Sequence, residues 1–293
     1  MARRRGVLWI AVVAMLGGCG TAGSGTSRDD LDQLRQLARD ALARYDKAVL
    51  DAGQKDFVPV GDLTGQLGNW ESTNENGKLA LLYGRVLAAA ALPTAPRSTG
   101  EVVWENGASQ AIPLLSAGET LKQLTAGGRD CPECVPLEVT GARLTTTRIQ
   151  TTRGPATAPA WEYTLKGTAV RLTRVPVPPS SAVKVTPLSW DLGNEPGGVS
   201  IESATMHGGQ LTANFVGSPH PGSQPCGADY SAEAVESANA VAVIVIAHPH
   251  AGDEICTAVG ALRTATVDLA QPLGTRAVLE ARQGLPVPLK TTG

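Results

Sequence analysis

The hydrophobic positions near the start of the chain follow a helical period. Between Asp29 and Ala52, apolar residues recur every three or four positions, with Asp and Arg among the residues between them. Since this spacing puts the apolar side chains on one face, it predicts an amphipathic helix over 29–52. We expect Ser27 to cap its first turn and Gly53 to end it.

A hairpin and a second helix are predicted further along. The stretch 101–115 contains two apolar runs joined by Asn106-Gly107, a pair that favours the tight turn between antiparallel strands. Ser116 and Glu119 then match a capping box, in which each residue satisfies a backbone N–H of the other. That pattern predicts a short helix over 117–124.

Two other stretches have weaker patterns. Residues 57–60 predict a short extended segment, whose length is restricted by Pro59 because proline lacks the N–H that pairs strands. The stretch 77–93 fits both a helix face and a buried strand. We favour the strand, because Gly84 lies inside the stretch and apolar residues occupy both odd and even positions, as in a strand that is buried on both faces.

From Val135 onward, short apolar runs alternate with turn residues, a pattern typical of a sandwich or a small barrel. The predicted strands cover 138–150, 161–165, 168–177, 199–206, 210–216, 230–237, 241–248, 258–269 and 276–281. Pro and Ser residues over 176–181 predict a linker. We therefore expect a mainly β fold with a minor helical part: an α+β domain over 29–178 and a β-sandwich-like domain over 182–289.

The first residues have the pattern of an export signal. Arg3-Arg4-Arg5 precedes an apolar run over 7–16, which is about half the length that a membrane-spanning helix requires. The run ends in Leu16-Gly17-Gly18-Cys19, which resembles the lipobox of bacterial lipoproteins. The resemblance implies a signal peptide over 1–18, cleavage before Cys19, and lipid, including palmitate, on that cysteine.

The lipobox resemblance also implies where the protein is located. Residues 19–28 are rich in Gly, Ser and Thr, so they predict a flexible tether between the lipid and the first helix. Two or more acyl chains hold a protein stably on a membrane. We therefore expect an extracytoplasmic protein, lipid-anchored to the bacterial cell membrane through Cys19.

Composition narrows the possible functions. Hydrophobic residues form 42% of the 293 residues but aromatic residues only 4%, so Val, Leu, Ile and Ala must build the core. Removing the three leader arginines lowers the net charge from −2 to about −5, which argues against a nucleic acid partner. The chain contains no P-loop and no Gly-x-Ser-x-Gly elbow, and we expect no cofactor.

Four cysteines remain once Cys19 is set aside, and an even number in an exported protein suggests two disulfides. Three pairings are open. We favour Cys131 with Cys134 and Cys226 with Cys256, because each pair then lies within one predicted domain.

One loop could hold a metal ion. The buried run over 243–247 leads into His248, His250, Asp253 and Glu254, and this order resembles the strand-then-His-Pro-Asp-Asp-Glu motif of zinc-dependent N-acetylglucosaminyl deacetylases. The resemblance implies that His248 and either Glu254 or Asp253 bind zinc in a metal-dependent hydrolase. However, three extra residues separate the acids from His248, and no histidine follows His250. We favour a solvated hairpin loop.

The spacing Cys131-Pro132-Glu133-Cys134 resembles a thioredoxin-like redox pair, so a thiol oxidoreductase is a second enzymatic alternative. Such a pair needs a helix N-terminus to lower the thiolate pKa, and the following residues have the composition of a strand. We favour a structural disulfide.

A third candidate surface is a polar ribbon. Thr145–Thr147, Thr151, Thr152, Arg148 and Arg153 would line one β-ribbon that could contact a glycan or a protein partner, although a solvated face is the expected reading.

Two longer stretches, 131–177 and 226–287, contain Cys-Pro-x-Cys and Pro272-Leu273-Gly274-Thr275-Arg276. They resemble segments of uncharacterised secreted lipoproteins of actinobacteria. This resemblance implies an extracytoplasmic location and a β architecture, but it implies no activity. The sequence therefore favours a non-enzymatic binding or structural protein of the cell envelope.

Overall fold

The computed structural model describes residues 28–53, 57–70, 75–94, 99–126, 128–188, 197–252 and 254–291. The predicted leader, lipobox and tether up to residue 27, the cap at Ser27, and Asp253 lie outside the described residues. Among the helices that are described, none is both long and apolar enough to cross a membrane.

The elements alternate between a few helices and many strands. In the first part they are α1 Arg28–Asp51, β1 Pro59–Val60, β2 Thr64–Leu67, α2 Glu75–Leu82, β3 Val86–Ala88, β4 Thr99–Trp104, β5 Ser109–Pro113, α3 Ala117–Thr125, β6 Leu137–Thr151, β7 Gly154–Leu165 and β8 Arg171–Arg174. A 3-10 turn at Pro179–Ser181 is followed by β9 Ile201–His207, β10 Gln210–Gly217, β11 Ala228–Glu236, β12 Ala240–Pro249, β13 Ala261–Asp268, β14 Ala277–Glu280 and β15 Leu289–Thr291. The predicted fold class, mainly β with a minor helical part, is confirmed.

The first sheet is organised around the long hairpin of β6 and β7. Its main order is β1-β6-β7-β4-β5, all antiparallel neighbours. Strand β8 pairs with the later part of β7 and carries β2 at its other edge, while β3 pairs in parallel with the start of β6. Two apolar clusters cover this sheet, one around Trp161 and Tyr163 and one around Phe57 and Trp104.

Two predicted helices and the predicted hairpin are confirmed. Helix α1 begins and ends within one residue of the expected bounds, and β4 and β5 pair across the Asn106-Gly107 turn. At the start of α3, the side chain of Ser116 accepts a hydrogen bond from the backbone N–H of Glu119. The Glu119 carboxylate in turn accepts one from the backbone N–H of Ser116 at 2.9 Å, so the capping box is complete.

The strand that we favoured over 77–93 is wrong for most of its length. Helix α2 covers Glu75–Leu82, and only Val86–Ala88 is extended. The side chain of Asn76 donates to the carbonyl oxygen of Val135 at 2.9 Å and accepts from its N–H at 2.8 Å. These tertiary contacts fix a two-turn helix that the local pattern supports only weakly.

The bounds of several other strands also differ from the prediction, most clearly those of β7 and β8. Strand β7 starts seven residues before Trp161, at Gly154, because Pro155 and Pro159 are tolerated in it. Strand β8 covers only Arg171–Arg174 of the predicted 168–177, since a turn occupies the residues after Lys166.

The second half forms a sandwich of two sheets. One sheet has the order β13-β10-β9-β15 and the other β11-β12-β14. Their facing side chains form one buried cluster, which includes Leu211 and Phe215 from the first sheet and Val241, Val243 and Val245 from the second. The β-sandwich-like arrangement expected for this half is therefore present.

Strand β12 is buried on both faces. Its odd-numbered residues face the other sheet, whereas Ala242, Ile244 and Ile246 pack against Leu34 and Ala38 of α1. A strand with a near-continuous apolar run is expected where both faces are covered. Together with α1, the second half thus forms a three-layer unit of helix, sheet and sheet.

Helix α1 packs against a different part of the chain from the one its position suggests. It belongs in sequence to the predicted domain over 29–178, yet its apolar face covers β11, β12 and β14. Its contact with the large sheet is made near Tyr45, whose side chain lies beside Thr152, and by Val58. The boundary between the two predicted domains stays a prediction.

Candidate functional site

Both predicted cysteine pairs are disulfides in the structure. The bond from Cys131 to Cys134 lies at a tight turn in which the N–H of Cys134 donates to the carbonyl oxygen of Cys131 at 3.2 Å. The bond from Cys226 to Cys256 joins residues 30 apart in sequence, with their Cα atoms separated by 5.5 Å.

The surroundings of the first disulfide do not resemble a redox site. Cys131 and Cys134 are both buried, in the apolar cluster that also contains Trp161. The chain after Cys134 leads into strand β6 at Leu137 rather than into a helix. The helix N-terminus that would lower the pKa of a thiolate is therefore not supplied by the following residues.

The residues around the end of β12 do not assemble the described part of the alternative zinc site. His248 is exposed, and its Nε2 lies 2.8 Å from the hydroxyl oxygen of Ser231 on the neighbouring strand. Within the described residues, the one group of three possible ligand atoms that converge is Cys131, Glu133 and Cys134. The sulfur atoms of Cys131 and Cys134 are joined to each other in a disulfide, so they cannot act as thiolate ligands.

His250 and Glu254 form a separate contact that fastens the loop. The Nδ1 of His250 lies 3.0 Å from the carbonyl oxygen of Gly222, and because a carbonyl oxygen only accepts, Nδ1 is the donor in this contact. Its Nε2 lies 3.3 Å from Oε1 of Glu254. The backbone N–H of His250 also donates to Gly227 at 2.9 Å. The imidazole thus connects two loops that flank the second disulfide.

The polar ribbon is only partly a surface. Thr151 and Thr152 are buried, which corrects the expectation that they lie on the ribbon face. The hydroxyl of Thr151 accepts a hydrogen bond from Nε1 of Trp104 at 2.9 Å and donates to the carbonyl oxygen of Gly154 at 2.7 Å. Arg153 stacks over Trp104, and Arg148 forms an ion pair with Glu105.

A cleft of about 650 Å³ lies beside the second disulfide, between the ends of the two sandwich sheets. Tyr230 lines it, and its phenol oxygen accepts from the backbone N–H of Ser218 at 2.6 Å. Arg263 lies over the Tyr230 ring and donates to the carbonyl oxygen of Ser218 at 3.1 Å. These contacts hold the end of β10 against β11 and give the cleft a fixed wall.

Exposed aliphatic side chains line this cleft at Ile255 and Val259, and two more lie on the neighbouring strand ends at Val216 and Leu262. The exposed fractions are 98% for Ile255, 79% for Leu262, 62% for Val259 and 49% for Val216. Val216 and Leu262 are directly opposite each other on β10 and β13, so their side chains form one patch. We call these four residues the apolar tip. The sequence does not reveal the tip, because its members come together only through the register of two strands and the disulfide.

A second groove, of about 720 Å³, lies between the end of α1 and the segment after the 3-10 turn. Lys47, Lys184 and Arg44 line it, and Lys47 is paired with Asp51 at 2.6 Å. Burial lowers the pKa of Arg44, and one of its terminal nitrogens, Nη2, is buried without a hydrogen-bond partner.

Comparison with protein-family models, curated proteins and solved structures finds no match for this chain.

Proposed function

We propose that this chain is a lipid-anchored extracytoplasmic protein that acts by binding or by a structural role rather than by catalysis. The lipid is carried by Cys19, at the end of the leader pattern Leu16-Gly17-Gly18-Cys19. The two disulfides support an oxidising compartment, in which such bonds persist.

The observation that carries the non-enzymatic part is how the candidate reactive groups are used. His248 bonds with Ser231, and His250 ties Gly222 to Glu254. The sulfur atoms of Cys131 and Cys134 are bonded to each other inside an apolar cluster. Each of these groups has a structural partner, and the histidines do not converge on a shared point with the described acid.

Metabolic labelling with palmitate tests the anchor. We expect the wild-type protein to be labelled and to sediment with membranes, and we expect Cys19→Ser to lose both properties. Gly18→Ala is the matched control, because a small residue is kept before the cysteine and labelling should persist. Equal labelling of wild type and Cys19→Ser would overturn the proposed anchor.

Metal analysis tests the rejected hydrolase. We expect the purified protein to hold zinc well below one equivalent, and His248→Ala to leave that content unchanged. One equivalent of zinc that is lost in His248→Ala would overturn the non-enzymatic proposal. A protein that catalyses disulfide exchange, and loses this activity in Cys131→Ala, would overturn it as well.

A further inference from the structure

The direction of α1 relative to the sandwich is fixed by two contacts. Near the end of the helix, Asp46 accepts a hydrogen bond from the side chain of Asn239 at 2.9 Å, at the turn before β12. Eleven residues earlier, Arg35 holds Glu233, which lies opposite Ile244 of β12. The helix therefore runs antiparallel to β12, so that the N-terminal end of α1 lies towards the C-terminal end of the strand.

The beginning of α1 consequently lies at the end of β12. Val199 bridges Val245, and a Cβ atom built on Gly197, two residues before Val199, would lie 3.9 Å from Cβ of Asp30. Asp30 thus lies close to the level of residue 247. The Cys226–Cys256 disulfide and the apolar tip are at this same end, because β10 ends, β11 begins and β13 begins there.

The proposed anchor cannot be far from this end. Eight residues separate Cys19 from Arg28. Even a fully extended chain covers only about 30 Å over that interval. The large sheet contacts α1 near Tyr45 and Thr152, towards the other end of the helix. A helix of this length spans about 36 Å, so this contact with the large sheet lies well away from the anchored end.

The chemistry of the tip suits a lipid surface. Over 216–222 and 254–262 the sequence contains no Lys and no Arg, and its one acidic residue is Glu254, which contacts His250. The adjoining Arg263 is engaged within the protein, since it lies over the Tyr230 ring and donates to the carbonyl oxygen of Ser218. Moving such exposed aliphatic side chains out of water lowers the free energy of the system. The cations that would attract an acidic protein or an anionic headgroup are missing from these two segments.

We propose that the apolar tip, formed by Val216, Ile255, Val259 and Leu262, inserts into the interface of the lipid leaflet that holds Cys19. This inference rests on the proposed lipid anchor. The short chain before α1 keeps the tip next to the bilayer, and the disulfide keeps Ile255 fixed beside the sandwich. The protein then stands on the membrane with α1 steeply inclined, and the contact between α1 and the large sheet lies at the end of the helix away from the bilayer.

Quenching by brominated lipids tests the insertion. The full-length acylated protein, as wild type and as Val259→Trp, is reconstituted into phosphatidylcholine vesicles with or without bromine on the acyl chains. We expect the additional fluorescence of Val259→Trp to be quenched by the brominated lipid. Val135→Trp is the matched control, because Val135 is 67% exposed and precedes β6 of the large sheet. Its additional fluorescence should not be quenched.

Flotation of the same vesicles separates the two proposals. If the protein floats with the vesicles but Val259→Trp is quenched no more than Val135→Trp, the anchor holds and the insertion is wrong. A protein partner that covers the tip instead of lipid would give this result. If the protein does not float, the anchor fails, and the insertion that depends on it fails too.

A polar tip provides the second test. Adding Ile255→Ser and Leu262→Ser to Val259→Trp should abolish the quenching while flotation persists. Raising the salt concentration, or adding anionic lipid, should leave the quenching of Val259→Trp unchanged, because no cation of the two tip segments takes part. Quenching that persists with the polar tip, or that disappears in salt, would overturn the proposal.

Discussion

Arg35 of α1 and Glu233 of β11, an edge strand of the β11-β12-β14 sheet, form an ion pair with two hydrogen bonds. The Nε of Arg35 donates to one carboxylate oxygen and its Nη2 donates to the other, each at 2.8 Å. Arg35 also donates to Asp32 at 3.1 Å, and these carboxylates raise the pKa of Arg35. The pair fixes the rotation of α1, so that its apolar face covers β12.

We expect the Arg35–Glu233 pair to contribute a small, salt-dependent coupling. Both side chains are about one-third exposed, and water screens such pairs. Urea unfolding of Arg35→Ala, Glu233→Ala and the double variant should give a favourable coupling that disappears in about 1 M salt. The same cycle on Lys47 and Asp51, which are more exposed, should give a weaker coupling. A larger coupling for Lys47–Asp51 would contradict this account.

Gly284 lies where α1 approaches the turn after β14 most closely. Its φ is +69°, and a Cβ atom there would overlap Nη2 of Arg44 and lie 3.0 Å from Cβ of Ala41. We expect Gly284→Ala to lower the free energy of unfolding by about 1–3 kcal/mol, because both the backbone and the contact are strained. Chemical denaturation measures this change.

Gly118 provides the control for that substitution. It lies in the first turn of α3, and a Cβ atom there would contact nothing within 4 Å. Gly118→Ala should therefore leave stability unchanged or raise it by up to about 1 kcal/mol. Equal losses for the two variants would mean that the close approach at Gly284 is not important.

Two glutamates should give opposite pH dependences. Burial raises the pKa of Glu280 above its usual 4.5, despite hydrogen bonds from the N–H groups of Arg282 and Gln283. The protonated form is therefore favoured in the folded protein. As the pH rises above about 4.5, ionisation of Glu280 becomes costly, so wild type should lose stability relative to Glu280→Gln.

Glu119 shows the other sign. Hydrogen bonds from Ser116 hold its pKa below 4.5, so its stabilising contribution is complete above that pH and is lost as the pH falls. Wild type should therefore lose stability relative to Glu119→Gln on acidification. Thermal unfolding between pH 3 and 7 follows both differences, and slopes of the same sign would contradict the two assignments.

The Cys226–Cys256 disulfide should stabilise the sandwich. It closes a loop of 30 residues, for which the chain-entropy model gives about 3–4 kcal/mol. Replacing both cysteines with alanine should lower the unfolding free energy by that amount. In dithiothreitol the wild type should approach the stability of the variant, and a persistent difference would show that the loss comes from packing.

Sequence patterns predicted the elements with strong local signals. The helical period of α1, the Asn106-Gly107 turn and the capping box at Ser116 each depend on neighbouring residues, and each is confirmed. The apolar run over 243–247 was correctly assigned to a buried strand. Helix α2 was missed, because its stability depends on contacts between Asn76 and Val135, which are distant in sequence.

Arrangements in space were harder to predict. The position of α1 on the second sheet depends on pairs such as Arg35–Glu233, which are separated by 198 residues. The apolar tip depends on the register that places Val216 opposite Leu262. Of the four residues considered for a metal site, His250 and Glu254 do come together, but His248 is held by Ser231, a contact that chain order alone does not indicate.

Export with lipid attachment underlies both proposals, and the mass of the intact protein measures it. The protein is extracted from membranes of its host, alkylated without reduction, and weighed intact. We expect a chain that begins at Cys19, carries two or more acyl groups, and has no alkylated cysteine. A chain that begins at Met1 with five alkylated cysteines would contradict it.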